Sequence, residues 1–196
     1  MLLVVFSPLM AVVALWIRKD SPGPIIFKQE RVGRHGAPFV IYKFRSMVPN
    51  AAGQGAQVTA TGDKRITPSG RVLRRYKLDE LPQLVNVLKG EMSLVGPRPE
   101  VPHYVRQWSE EDRRIVLSIP PGITDPGSLS FIDEESLLSR ATDSERFYVD
   151  VILPQKLKLY REYVRDRTLM GDMLILAKTA ARVFARVGAS RSKVAA

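Results

Sequence analysis

Between Met1 and Ile17 the chain carries a single polar side chain, Ser7, and no other feature narrows its possible folds as much. As a helix this run would reach about 25 Å, less than the roughly 30 Å of a bilayer's hydrocarbon core. It is long enough to enter a membrane and too short to cross one with ease. Pro8 removes a helical hydrogen bond and bends the axis, while the Ser7 hydroxyl offers a donor to the carbonyl that is freed. A helix broken at Ser7 and Pro8 is therefore expected to dip into the bilayer and return to the face it left. Arg18 and Lys19 follow at once, which places that face in the cytoplasm. No basic segment precedes the run and no Ala-x-Ala site closes it, which argues against a secretory signal. The alternative is an apolar helix buried in a protein core.

A second concentration of information lies at Leu78-Asp79-Glu80-Leu81-Pro82-Gln83. Leu81, Leu84, Val85 and Leu88 recur at helical spacing, with Gln83, Asn86 and Lys89 on the other side, so the pattern predicts an amphipathic helix that Asp79 and Glu80 begin. Acidic residues and proline both suit a first turn, where N–H groups lack intrahelical partners and the dipole is positive. Upstream, Ser69 is expected to cap a short helix through Lys77, setting Arg71, Arg74 and Arg75 beside the acidic pair. Downstream, Gly90 ends the helix and Gly96-Pro97-Arg98-Pro99 holds one guanidinium on a stiff, non-helical loop. Residues 25–32 and 38–45 read as a β-hairpin around Gly33-Arg34-His35-Gly36-Ala37, and the two-residue period puts Lys43 and Arg45 on one face with Ile41. Adjacent carboxylates among clustered cations suit an anionic substrate, and Lys43 with Arg45 suits phosphate. Taken singly, each has a plainer reading: a capped surface helix for the acids and solvated charge for the cations.

With 196 residues the chain can bury one sizeable core, so a single catalytic body over 21–187 is expected between the membrane helix (1–20) and a disordered tail (188–196). A net charge of +10 calls for an anionic partner, whether phospholipid, nucleotide sugar or nucleic acid. No helix-turn-helix, zinc-finger or aromatic-interleaved basic motif supports nucleic acid. The chain has no cysteine, hence no disulfide framework, thiol nucleophile or thiolate zinc site, and His35 and His103 lie in no metal-ligand spacing. Residues 48–65 read as a mobile loop, and Gly53 and Gly55 within it lack the third glycine and the strand-to-helix context of a nucleotide fingerprint. Helices are expected over 110–118, 151–167 and 169–187. In the last, Leu169, Met173, Leu176, Ala180 and Phe184 form one apolar stripe with Lys178, Arg182 and Arg186 as a basic margin, which suits either an anionic bilayer surface or a core.

In order along the chain, Pro22-Gly23-Pro24, Gln29-Glu30-Arg31-Val32-Gly33, Tyr42-Lys43-Phe44-Arg45-Ser46-Met47, Leu78-Asp79-Glu80-Leu81-Pro82-Gln83, Asn86-Val87-Leu88-Lys89-Gly90-Glu91-Met92-Ser93, Gly96-Pro97-Arg98-Pro99 and Pro121-Gly122-Ile123-Thr124 resemble the bacterial sugar transferase family, the monotopic phosphoglycosyl transferases. The resemblance implies an α+β fold, mainly helical with a short β-hairpin, carried on a re-entrant membrane helix and interfacial amphipathic helices. It implies a place at the cytoplasmic face of the bacterial inner membrane, among phospholipid, and allows a homodimer. The implied reaction moves a sugar 1-phosphate from a UDP-sugar to polyprenyl (undecaprenyl) phosphate and releases UMP, as the first membrane step of O-antigen, capsule, exopolysaccharide or glycoprotein synthesis.

By the same resemblance Asp79 is the nucleophile that forms a covalent aspartyl-phosphosugar, with Glu80 beside it. Mg²⁺ is the expected cofactor, touched by Asp79 or Glu80, while Lys43, Arg74 and Arg98 bind phosphate and Pro97 and Pro99 shape the nucleotide loop. Two departures stand out. Many family sequences continue Pro-Gly-Ile-Thr with Gly-Trp-Ala-Gln-Val, where this chain has Asp125-Pro126-Gly127-Ser128-Leu129-Ser130-Phe131, and the usual charged stretch ahead of the apolar helix is missing. A non-catalytic basic membrane adaptor is the rival reading. It explains the charge and the anchor, but neither Asp79-Glu80 beside Arg74 nor the stiff Arg98 loop.

Overall fold

The computed structural model describes residues 2–51, 58–131 and 133–192, apart from the side chains of Phe184 and of residues 186–192. Helix α1 spans Leu2–Asp20 with Pro8 inside it. Ser7 Oγ donates to the Val4 carbonyl at 2.8 Å. That carbonyl is the one whose usual partner would be the N–H that Pro8 lacks. Val13 and Ile17 are buried against Phe44 and Leu73, whereas Val4, Val5, Val12 and Leu15 are 74%, 66%, 64% and 63% exposed. The core-helix alternative therefore fails. Among the described residues α1 is the one helix long and apolar enough to cross a membrane.

The hairpin forms as expected, with β1 (Ile26–Val32) antiparallel to β2 (Pro38–Phe44) and Ile26 opposite Phe44. Phe39 and Ile41 pack on Met92, while Phe44, on the other face, packs on α1. Of the loop that follows, residues 52–57, with Gly53 and Gly55, lie outside the described residues. Its described flanks are tied down, Val48 N–H to the Arg65 carbonyl at 2.8 Å and Arg65 to Asp63 at 2.6 Å.

Helix α2 (Pro68–Arg75) is capped by Thr67, whose hydroxyl accepts from Gly70 N–H at 3.0 Å. The expected cap, Ser69, instead donates to Asp20 Oδ2 at 2.8 Å. Proline suits the position after a cap because it has no N–H to leave unpaired, and this moves the start of α2 forward. Nor do Asp79 and Glu80 begin the next helix. They sit in a separate 3-10 turn, Leu78–Glu80, before α3 (Gln83–Leu88). Pro82 cannot return an N–H to the Leu78 carbonyl, which Leu81 N–H takes at 3.3 Å, so the turn closes before α3 opens.

The faces of α3 also differ from the pattern. Asn86 is 0% exposed and Leu88 67%. The Asn86 amide accepts from Tyr42 N–H at 3.1 Å and donates to the Val40 carbonyl at 2.7 Å. It continues the edge of β2 where no strand lies, and satisfying that backbone outweighs burying one more leucine.

Strands β3 (Ser93–Val95) and β4 (Gly122–Thr124) pair in parallel, a second small sheet that periodicity did not reveal. The main core is built by α4 (Pro102–Val105), α5 (Glu110–Val116), α6 (Pro126–Ser130), α7 (Glu134–Ser139), α8 (Ser144–Phe147) and α9 (Leu153–Asp166). Trp108, Val116, Leu138, Ile152 and Tyr160 lie at its centre. Helix α10 (Leu169–Ser192) continues past Gly188, where the disordered tail was expected to begin. One internal glycine costs about 1 kcal/mol, too little to stop a helix already propagating. Asp172, Thr179 and Arg182 join α10 to Tyr163, Thr124 and the Leu129 carbonyl. The predicted stripe faces elsewhere, with Leu169 and Met173 exposed, and Phe184 lies outside the described side chains. The whole is a mainly helical α+β fold.

Candidate active site

The end of β2 and the Leu78–Glu80 turn bring Lys43 to the acidic pair. Lys43 Nζ lies 3.1 Å from Glu80 Oε1, and an Arg98 guanidinium nitrogen reaches the same oxygen at 2.8 Å. Asp79 and Glu80 are 6% and 7% exposed. Glu80 is thus held between two cations, but the buried Asp79 Oδ1 makes no hydrogen bond. Lys77, directly ahead of the turn, takes a left-handed backbone conformation at φ 57 and starts the change of direction that buries both acids.

Arg98 is presented by a loop braced from both sides. Gly122 N–H donates to the Pro97 carbonyl at 2.9 Å, and the Arg31 guanidinium donates to the Pro99 carbonyl at the same distance. A Cβ on Gly122 would lie 2.1 Å from Gly96 N, so the two segments meet only because both residues are glycine. Arg31 also lies 3.9 Å from Glu100, which accepts from Tyr148 Oη at 2.6 Å. Pro97 and Pro99 therefore serve the loop through their carbonyls.

The electrostatics separate the two acids. Burial, and then the Glu80 charge, raise the Asp79 carboxyl above its ordinary range, against the pull of Lys43, Lys77 and Arg74. Burial also opposes the charge on Glu80, yet Arg98 and then Lys43 outweigh it and hold that carboxyl well below the usual range. Glu80 in turn raises Arg98 further. Burial pushes the Lys43 ammonium down to about 8, against the attraction of Glu80. Glu80 is the fixed anion of the site, and Asp79 keeps an oxygen without a hydrogen-bond partner.

The family model described as bacterial sugar transferase matches residues 1–186. The chain belongs to the bacterial sugar transferase family. It is 40% identical over 184 residues to an Aeromonas hydrophila UDP-N-acetylgalactosamine-undecaprenyl-phosphate N-acetylgalactosaminephosphotransferase, covering 94% of this chain and 41% of that protein. An undecaprenyl-phosphate galactose phosphotransferase of Salmonella typhimurium is 38% identical over 204 residues, covering 96% and 39%. A UDP-glucose:undecaprenyl-phosphate glucose-1-phosphate transferase of Escherichia coli is 40% identical over 126 residues, covering 63% and 27%. The chain spans less than half the length of each.

In this member of the family the structure gathers Asp79, Glu80, Lys43 and Arg98. Arg74 acts on Asp79 electrostatically, but its guanidinium lies 2.5 Å from Glu135 of α7. Arg45, expected beside Lys43 as a phosphate ligand, faces the other way and donates to the carbonyls of Ile17, Ser21 and Pro24. The strand ends at Phe44, so the two-residue period no longer fixes the direction of the next side chain. Ser7 and Pro8 lie far along α1. Arg31, Asn86, Glu100 and Glu135 are supporting residues the sequence reading missed. Arg31 stood in a quoted motif, but nothing in its spacing names a proline carbonyl as partner. Among the described residues no group of three or more His, Cys, Asp and Glu side chains forms a metal site. The Asp79-Glu80 pair supplies hard oxygens of the kind Mg²⁺ shares with substrate phosphates, and the unpartnered Asp79 oxygen fits that use.

Proposed function

We propose that this protein transfers a sugar 1-phosphate from a UDP-sugar to undecaprenyl phosphate at a membrane surface, through a covalent phosphosugar on Asp79. The observation that carries the reading is the buried, unpartnered Asp79 oxygen beside a Glu80 clamped by Lys43 and Arg98. An uncompensated buried carboxylate is destabilising, and an adaptor protein would have no use for one. These three relatives are each named as transferring a sugar phosphate to undecaprenyl phosphate, which supports the same reading.

In the first step an Asp79 carboxylate oxygen attacks the phosphorus that bears the sugar. The bond from that phosphorus to the bridging oxygen breaks, and UMP leaves with the electron pair. In the second, a phosphate oxygen of the polyprenyl acceptor attacks the same phosphorus, forming the diphosphate and returning Asp79 as carboxylate. Arg98 and Lys43 offset charge on the phosphoryl oxygens and keep Glu80 ionised. Mg²⁺ would be held by Asp79 and Glu80 and would supply Lewis-acid neutralisation of phosphate charge.

The exposed apolar flank of α1 supports burial in lipid, and the Arg18 and Lys19 flank supports a cytoplasmic body. On this reading α1 is re-entrant, with its start at Leu2 and Asp79 on one side. A cysteine placed at position 1 meets no background thiol, so its labelling from the periplasm in intact cells would contradict re-entry. The reaction starts a membrane-bound glycan. A screen of UDP-glucose, UDP-galactose and UDP-N-acetylgalactosamine with undecaprenyl phosphate and Mg²⁺ tests the activity and the sugar together, and no UMP release from any of them would overturn the proposal.

A further inference from the structure

Arg45 is as deeply buried as Lys43 is useful, yet it touches no acid of the site. Its guanidinium donates to the Pro24 carbonyl at 2.6 Å, the Ser21 carbonyl at 2.6 Å, Ser21 Oγ at 3.0 Å and the Ile17 carbonyl at 3.3 Å. These acceptors are the C-terminal end of α1 and the turn after it, where helix carbonyls lack intrahelical partners and the dipole favours a cation. The Pro22-Gly23-Pro24 segment is shaped around this contact. Gly23 has φ +117, and a Cβ there would lie 2.8 Å from the guanidinium. A second tie comes from α2, where Asp20 Oδ2 accepts from Ser69 Oγ at 2.8 Å and Ser69 N–H at 3.2 Å. Gly70 lies so close to Ser46 that a Cβ would fall 1.9 Å from the Ser46 carbonyl, which joins α2 to the chain just after Arg45. Ile17, Phe44 and Leu73 fill the space between the two ties.

We infer that Arg45 and Asp20 are positioning residues that fix the angle between α1 and the two elements carrying Lys43 and Arg74, and so set the height of Asp79 above a lipid surface. The inference rests on the membrane transferase reading above. The donor is water-soluble and needs no such alignment; a lipid-anchored acceptor does.

The test compares full-length wild type with Arg45→Lys and Asp20→Ala in three assays using the donor found in the sugar screen. These are UMP released in a burst without acceptor, turnover with a short-chain polyprenyl phosphate in detergent, and turnover with undecaprenyl phosphate in phospholipid vesicles. The first two should stay within about twofold of wild type, while vesicle kcat falls on the order of 10- to 100-fold with the donor KM unchanged, as expected for a misplaced reacting group. Equal losses in all three assays would make the ties ordinary fold contacts and overturn the inference. So would vesicle turnover at the wild-type rate. If Arg45→Lys does not fold, Asp20→Ala carries the same comparison, since it removes one tie and leaves the buried guanidinium in place. A wild type that releases no UMP would instead remove the transferase reading itself.

Discussion

Lys43 and Arg45 stand two residues apart at one end of β2 with the same charge, and their surroundings give them different work. Lys43 meets a carboxylate at 3.1 Å inside the protein, so its charge and its pKa belong to the candidate site. Arg45 meets carbonyls at the end of a helix, so its charge is a joint. A buried cation facing an acid tunes and is tuned, whereas one facing backbone oxygens holds two elements at a fixed angle. The consequence is that damage at the Lys43 side should show in the chemical step, and damage at the Arg45 side in where the chemistry takes place.

The largest effect should come from Asp79→Asn, which removes the proposed nucleophile at nearly constant shape and should lower transfer by at least about a thousandfold. The same change should raise the melting temperature near neutral pH. The Asp79 pKa is raised on folding, so its favourable contribution is present at low pH and is lost as pH rises through the folded-state value. Asparagine stays neutral throughout, and the stability gap between variant and wild type should narrow on acidification. Thermal melts across the acidic range check this.

Next in size are Lys43→Ala and Arg98→Ala, each expected to reduce kcat/KM for the donor by roughly 10- to 100-fold, the scale of a lost charge-assisted hydrogen bond. Both should also destabilise the fold by leaving Glu80 with one cation instead of two. In wild type, kcat/KM should decline above a pH of about 8 as Lys43 loses its proton. Lys43→Arg should carry its activity beyond that pH. A decline that persists unchanged in Lys43→Arg would assign the titration to another group.

Glu135→Gln should act more gently. The Glu135 side chain is 47% exposed, so the ion pair with Arg74 is worth little, and releasing Arg74 should lower the donor KM about two- to fivefold. Smallest of all is Arg34→Ala. Arg34 is an exposed cation on the hairpin turn that bonds the Ser118 carbonyl, and its loss should stay within about twofold. If it matched Lys43→Ala, the site would reduce to general electrostatics.

Much of the site was legible because its residues announce themselves by type and order: Asp79-Glu80, Lys43 in its strand and Arg98 between prolines. The hairpin was legible for the ordinary reason of periodicity. What stayed hidden depends on backbone accounting that side-chain patterns do not record. Asn86 is buried because β2 has an unpaired edge, and Thr67 caps α2 because Pro68 follows it. The β3–β4 pair is too short to show a period and depends on Gly96 and Gly122 in contact. Arg45 was misplaced by extending a strand period past the strand's last residue.

On the proposed mechanism the phosphosugar passes through Asp79. Incubation with a donor radiolabelled in the sugar-bearing phosphate, without acceptor, followed by rapid acid quench and peptide mapping, addresses it directly. Label is expected on the peptide containing Asp79, with UMP released in equal amount, discharge of the label on adding undecaprenyl phosphate, and none of these in Asp79→Asn. Label-free wild-type protein that releases UMP only when acceptor is present, or label retained in Asp79→Asn, would contradict it.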